Sequence, residues 1–474
     1  MINEYSFTKE KIMKDVILEQ FGVSRRDAIK QLGALGLLTT TSASTQIEAS
    51  VSSKANNAKI VIVGGGAGGI CVAARLCRAI KNPNITIIEP NDKHIYQAGQ
   101  TLVGGGIKKA SQLVVDEESL IPSKAKWIQQ SVKNLDPDIQ KIELNNGEIV
   151  EYDYLVLSPG MQYDWGKIEG LAKDDIGKDG IHSIYTLEGS TKTWAMIQEF
   201  AKTGGNAYFS HPSTPIKCGG APKKIMYLTD AYLRRQKARD KAVLTFCPAS
   251  KSMFTVPEFD KAIYEQFHAR DMKYNMGHDL VKVDKYKKEA TFAYEVQRQG
   301  EWDDLLEEYE IIKEIEYITQ PYDFLHVTPP MSAPDFLKSS KVIYNQGSSA
   351  DLKMINADKY TLQHQSYKNI FALGDALGTP FCKTGGSVRK QAPVLVQNLL
   401  DVIDGKEPIA KFDGYTVCPI ITGYGTVMLA EFDYTGRPTP IVPLDPTQER
   451  WIWWMLKVYM LEPIYFYGMM RGIM

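Results

Sequence analysis

The feature that most constrains this chain is a glycine cluster set directly behind a short apolar run. Lys59-Ile60-Val61-Ile62-Val63 is β-branched and reads as a buried parallel strand. It passes without a linker into Gly64-Gly65-Gly66-Ala67-Gly68-Gly69 and then into Ile70-Cys71-Val72-Ala73-Ala74-Arg75-Leu76, a helical pattern. In such a unit Gly64 permits the tight turn, Gly66 lets a pyrophosphate approach the backbone, and Gly69 lets the helix pack close to the strand. The helix start offers free N–H groups and a positive dipole end to phosphate. A second strand, Ile85-Thr86-Ile87-Ile88, ends in Glu89, 25 residues after Gly64, where an acid would bind ribose hydroxyls. Glycines alone also occur in turns that bind nothing; strand, glycines, helix, strand and acid in order predict a dinucleotide-binding domain.

Composition narrows what surrounds that domain. With 474 residues the chain has room for two or three domains, and 44% hydrophobic with 23% charged residues excludes a disordered or fibrous protein. A formal charge of −1 gives no global field for nucleic acid. The six cysteines form no C-x-x-C and no histidine stands at ligand spacing beside them, so neither a disulfide scaffold nor a metal site is expected. No apolar run is long enough to span a bilayer.

Residues 1–50 read as an address. Ser24-Arg25-Arg26-Asp27-Ala28-Ile29-Lys30 precedes an uncharged, weakly apolar stretch from Gln31 to Ile47, the order of a twin-arginine export signal. The expected location is therefore the periplasmic face of the cell membrane, with the cytoplasmic face as the alternative if the signal is unused.

Two later strands extend the first domain. Tyr152-Asp153-Tyr154-Leu155-Val156-Leu157-Ser158 is closed by Pro159-Gly160, and Asn369-Ile370-Phe371-Ala372-Leu373 ends in Gly374-Asp375. These elements resemble the motifs of flavoproteins with two dinucleotide domains. The resemblance implies a glutathione-reductase-like α/β fold with two Rossmann-like domains. In it the FAD domain is split over 58–165 and 339–400 around a second domain at 166–338, and Gly374-Asp375 contacts the ribityl chain. Such second domains normally repeat the glycine fingerprint. Here Asn206-Ala207-Tyr208-Phe209-Ser210 reads as the strand, but His211-Pro212-Ser213-Thr214-Pro215-Ile216-Lys217-Cys218-Gly219-Gly220-Ala221-Pro222 follows it. The close-approach glycine is missing, so NADH and NADPH are not expected as electron donors.

The run from Pro215 to Leu228, with Lys217-Cys218-Gly219-Gly220-Ala221-Pro222-Lys223-Lys224 at its centre, resembles sulfide:quinone oxidoreductases of the branch that includes the mitochondrial enzymes. So do Tyr96-Gln97, Thr101-Leu102-Val103-Gly104, Leu325-His326-Val327-Thr328-Pro329-Pro330-Met331, Asp413-Gly414-Tyr415 with Cys418-Pro419, Thr422-Gly423-Tyr424, and Ala430-Glu431-Phe432-Asp433-Tyr434. The resemblance implies FAD, hydrogen sulfide as donor, a membrane quinone as acceptor, a sulfur acceptor, and a pair of redox cysteines. It places the second cysteine directly after Gly374-Asp375, where this chain has Ala376; the nearest thiol is Cys382. The expected catalytic residues are therefore Cys218 and Cys382, with Lys383 favouring an anionic reduced flavin and Thr384 at a helix start facing the ring. Cys71, Cys77, Cys247 and Cys418 are read as structural. Lys217 and Lys224 would either hold a thiolate charged or be solvated surface.

The C-terminal region 401–474 ends in a stretch from Trp451 to Met474 holding three of the seven tryptophans. Lys457, Glu462, Pro463 and Arg471 interrupt it, so it is expected to lie in the membrane interface with Trp and Tyr at headgroup level, as a monotopic attachment and quinone doorway. A hairpin packed on the core or on a second copy is the alternative. Rival functions are a flavocytochrome-type sulfide dehydrogenase subunit, a type II NADH:quinone dehydrogenase and a non-catalytic flavin-binding module.

Overall fold

A computed structural model describes residues 54–303, 308–379 and 381–474; the proposed export signal lies outside them. The first sheet contains β1 (Lys59–Val63), β2 (Asn84–Ile88), β3 (Ala125–Ile128) and β4 (Tyr154–Leu157), with helix α1 (Ala67–Ala79) following β1. A fifth strand, Ile370–Ala372, returns much later in the chain and lies beside β4. All pairings are parallel and the order is Ile370–Ala372, β4, β1, β2, β3, the winding of one dinucleotide-binding half. Ile60, Val61, Ile62 and Val63 are all buried, as strands covered on both faces must be.

The second sheet is also parallel. Its strands are β5 (Ile181–His182), β6 (Gly205–His211), β7 (Ala242–Pro248), β8 (Lys273–Tyr274) and β9 (Phe324–His326), in the order β5, β9, β6, β7, β8. Helix α2 (Ala221–Arg235) follows β6 as α1 follows β1, with Gly220 as N-cap and Pro222 in its first turn. An exposed antiparallel hairpin, Glu289–Asp303 with Glu308–Pro321, projects from this domain.

The chain returns through α3 (Gly385–Ile403), whose N-cap Thr384 accepts from Ser387 N. It then forms a hairpin of β10 (Thr416–Gly423) and β11 (Thr426–Phe432) and ends through α4 (Trp451–Met455) and further helical turns to Met469. Here the structure corrects the expectation of tryptophans at headgroup level. Trp451, Trp453 and Trp454 are buried, and the latter two share a core cluster with Leu102, Ile421, Val427 and Leu429. The exposed large apolar residues of this stretch are Tyr459, Tyr467 and Ile473. Among the described residues no helix is long and apolar enough to cross a membrane.

Candidate active site

The glycine turn behind β1 is built for close approach. Gly64 has φ +105°, and a Cβ there would lie 2.2 Å from Ser158 O. A Cβ on Gly69 would lie 1.8 Å from Gly64 O, so helix and turn touch through hydrogen atoms alone. Gly66, the N-cap of α1, is the opposite case: nothing lies within 4 Å of its would-be Cβ. Glu89 ends β2 nearly buried, and its Oε2 accepts from Gly65 N at 2.7 Å. At the far end Gly374 (φ +80°) donates its N–H to Gln391 Oε1 at 3.1 Å, while buried Gln391 Nε2 has no hydrogen-bond partner. Open space at Gly66, an unpaired amide beside Gly374 and the free start of α3, where a Cβ on Gly385 would also meet nothing, fit a dinucleotide running from α1 to α3. The residues present fit FAD, and FAD is the cofactor of this fold family.

Asp375 is half-buried; burial raises its carboxyl, opposed by the charges of Lys217 and Lys383. The Lys383 ammonium is buried and donates to Asp375 O (2.6 Å) and Leu377 O (2.9 Å), tying off the loop, and burial brings its pKa down to about 8.

The sulfur site lies where the second domain would have carried its own glycine fingerprint. Cys218 sits in the turn before α2 with φ +54°, a conformation that costs a non-glycine residue energy and points to a positioned side chain. Its N–H donates to Lys383 O at 3.1 Å, joining the turn to the loop before α3. The expected partner is corrected by the structure: the sulfur beside Cys218 is that of Cys418, in β10. The two side chains are hydrogen-bonding partners, and Cys418 Sγ lies 2.6 Å from where a Cβ on Gly220 would stand. Cys382 is buried, but its thiol turns to Gly414 O (3.4 Å) and Thr416 Oγ1 (3.5 Å), and burial pushes it up. Cys71, Cys77 and Cys247 are likewise buried and raised by burial.

Three lysines set the charge at the pair. Lys224, in the first turn of α2, is buried and donates to Cys218 Sγ at 3.1 Å. The hydrogen bond from Cys418 and the Lys224 charge hold Cys218 well below the usual thiol range, while the same pairing and burial push Cys418 up. Lys224 is raised by its sulfur neighbours against the cost of burial. Lys223 donates to Gly219 O at 3.4 Å, and burial lowers it to about 8. Lys457, from the C-terminal segment, is buried, donates to Ala98 O at 2.7 Å and is lowered to about 7, by burial first and the Lys224 charge second. Lys217 is half-buried, bonded to Gln97 Oε1 (2.6 Å) and seated over the Tyr163 ring. Cys418 is thus the candidate partner of Cys218 that the sequence alone leaves among the structural thiols. Its one available signal is the Cys-Pro within a stretch that carries the family resemblance.

The chain is similar in sequence and in fold to known proteins. Residues 58–195 match the family described as pyridine nucleotide-disulphide oxidoreductase. The mitochondrial sulfide:quinone oxidoreductase of Mus musculus is 40% identical over 417 residues, 88% of this chain and 87% of the relative. Among solved structures, the sulfide:quinone oxidoreductase of Aquifex aeolicus aligns at TM-score 0.66 and 19% identity, covering 87% of this chain and 91% of its own. A chain in the Tetrahymena thermophila mitochondrial ATP synthase F1Fo composite tetramer aligns at TM-score 0.71 and 20% identity, covering 90% and 98%. Since the identity to the mouse enzyme extends across nearly the whole of that relative and the fold is shared, this chain belongs to the sulfide:quinone oxidoreductase family.

Proposed function

We propose that this protein oxidises hydrogen sulfide to sulfane sulfur on Cys218 and Cys418, with FAD as the electron carrier and a quinone as the final acceptor. The observation that carries the reading is the thiol pair with the Lys224 ammonium on Cys218. Joined as a disulfide, the pair is attacked by hydrosulfide: an S–S bond forms between substrate and one cysteine, the cystine bond breaks, and the other cysteine leaves as a thiolate. The geometry favours Cys218 as that thiolate, because the Lys224 ammonium donates to its sulfur, and Cys418 then carries the persulfide. A nucleophilic sulfur acceptor takes the outer sulfur and returns Cys418 to a thiol. Re-forming the cystine bond releases the two electrons taken from sulfide. FAD, when bound, supplies the two-electron acceptor that passes them to quinone. Lys383 would shape the loop at the flavin end.

The Ser24-Arg25-Arg26 leader supports export and attachment to the periplasmic face. Tyr459, Tyr467 and Ile473 are the large apolar residues of 451–474 exposed to meet a lipid surface. The test is an anaerobic titration of the purified protein. Sulfide is expected to bleach the flavin and a short-chain quinone to restore its colour. Bleaching by NADH and not by sulfide would overturn the reading.

A further inference from the structure

A second buried constellation lies beside the Gly65 turn of the cradle. His94, in the strand Lys93–Ile95, places Nδ1 3.0 Å from Glu117 Oε2 and Nε2 2.6 Å from the Tyr465 hydroxyl. All three residues are more than nine-tenths buried, at 4%, 2% and 8% exposure. The other oxygen of Glu117, Oε1, has no hydrogen-bond partner and lies 2.5 Å from where a Cβ on Gly65 would stand. Gly65 is thus bracketed by two carboxylates: Glu89 accepts its N–H, and Glu117 fills the space where its side chain would be. A buried carboxyl oxygen without a partner is costly, so this placement calls for a role. Burial pushes Glu117 up and the Glu89 charge adds to that, while the bond to His94 opposes it.

The third member comes from the far end of the chain. Tyr465 lies in the turns Ile464–Met469, its ring centroid 5.0 Å from that of Tyr96, with Phe466 6.0 Å from the same ring. Gly472 presses so closely on α1 that a Cβ there would lie 2.8 Å from Arg75 N. Residues 464–472 therefore close on the back of the glycine turn and of the helix it starts.

We infer that Tyr465, His94 and Glu117 are positioning residues for FAD: they carry the docking of residues 464–472 to the Gly65 turn, so that the dinucleotide is held at full strength only while this segment is seated. The inference rests on the FAD reading of the cradle. By linkage, FAD must tighten the segment by the same factor as the segment tightens FAD.

The test uses full-length protein stripped of FAD and reloaded. Tyr465→Phe keeps the ring and removes the hydroxyl, and is expected to raise the Kd for FAD, read by flavin fluorescence, about tenfold. Glu117→Ala should do the same, while Glu117→Gln, which still accepts from His94, should rescue wild-type affinity. In the wild type, FAD should slow proteolysis after Tyr467; in Tyr465→Phe it should not. An unchanged Kd in Tyr465→Phe, with or without a lower melting temperature, would overturn the relay. So would tail cleavage indifferent to FAD in the wild type. A wild-type protein that binds no FAD at all would instead sink the reading of the cradle.

Discussion

The same strand–turn–helix unit occurs twice in this molecule, and the two helix starts are filled differently. Behind β1 the N-cap of the helix is Gly66, and the space above it is empty of protein. Behind β6 the N-cap is Gly220, and the equivalent space is filled by the sulfur of Cys418. One helix start is left open for phosphate. The other receives a thiol from β10 and presents its own Cys218 and Lys224 to it. Loss of the fingerprint in the second domain is therefore a substitution: the helix start where a second dinucleotide would sit holds the side chains of Cys218 and Cys418 instead.

The largest effect should come from the sulfurs. Cys218→Ser and Cys418→Ser should each lower sulfide-dependent flavin reduction by about a thousandfold or more, since a hydroxyl can form neither persulfide nor exchangeable bond. Cys382→Ser should keep most of the rate, because its thiol faces Gly414 and Thr416. Stopped-flow bleaching on FAD-loaded proteins measures all three. A dead Cys382→Ser beside an active Cys418→Ser would restore the pairing expected from sequence.

The glycines come next and separate the two turns. In Gly66→Val the added Cβ meets no protein atom but occupies the open space, and the purified variant should be colourless apoprotein. Gly220→Ala should keep its FAD and drive the Cys418 sulfur aside, lowering sulfide turnover by about tenfold to a hundredfold, as small misplacements of reacting atoms do. If Gly220→Ala lost flavin instead, the contrast between the two helix starts would be wrong.

How much of this was legible depended on how local the requirement is. The turn of residues 64–69 could be read because each glycine answers a demand made within a few residues: a positive φ at Gly64, contact between Gly69 and Gly64 O, and clearance at Gly66. The Cys218 turn was legible for the same reason, as a fingerprint visibly broken. Cys418 was not, because its meeting with Cys218 is made by β10 packing on α2, two elements far apart in sequence. The tryptophans of 451–454 misled because an aromatic, apolar stretch has the same composition whether it meets lipid or core; contacts with Ile421, Val427 and Leu429 decided for core. For Lys383 the family resemblance implies a charge that favours an anionic reduced flavin, and only the structure shows its ammonium also bonded to two carbonyls of the preceding loop.

A smaller effect should follow from Lys224. Lys224→Met removes the only cationic donor bonded to Cys218 among the described residues and leaves a buried apolar chain of similar length. The Cys218 thiol should move up toward its ordinary range, leaving about tenfold less thiolate at neutral pH. Iodoacetamide alkylation of Cys218, followed by mass spectrometry across pH, should show its midpoint displaced upward while FAD stays bound. An unmoved midpoint would assign the activation to Cys418 alone.

The smallest effect should be a change in stability at Lys457, where the C-terminal segment reaches the sulfur site. Folding lowers this lysine from the ordinary 10.5 to about 7, chiefly by burial and then by the Lys224 charge, with the two sulfurs opposing. Between those values the unfolded chain holds a proton that the folded chain has released, so this site's contribution to stability rises with pH across that window. Below about 7 both states are protonated and the buried charge costs its full amount. Lys457→Met removes that cost and should raise the melting temperature at pH 6 by roughly 2–4 °C, a gain that shrinks as pH climbs toward the ordinary lysine value. Alkylating Cys218 first removes one of the negative charges that favour the Lys457 ammonium, so the gain from Lys457→Met at pH 6 should grow. A gain that grows with pH, or one blind to the state of Cys218, would mean that Lys457 does not sense the thiolate and that the C-terminal segment packs beside the sulfur site without electrostatic contact with it.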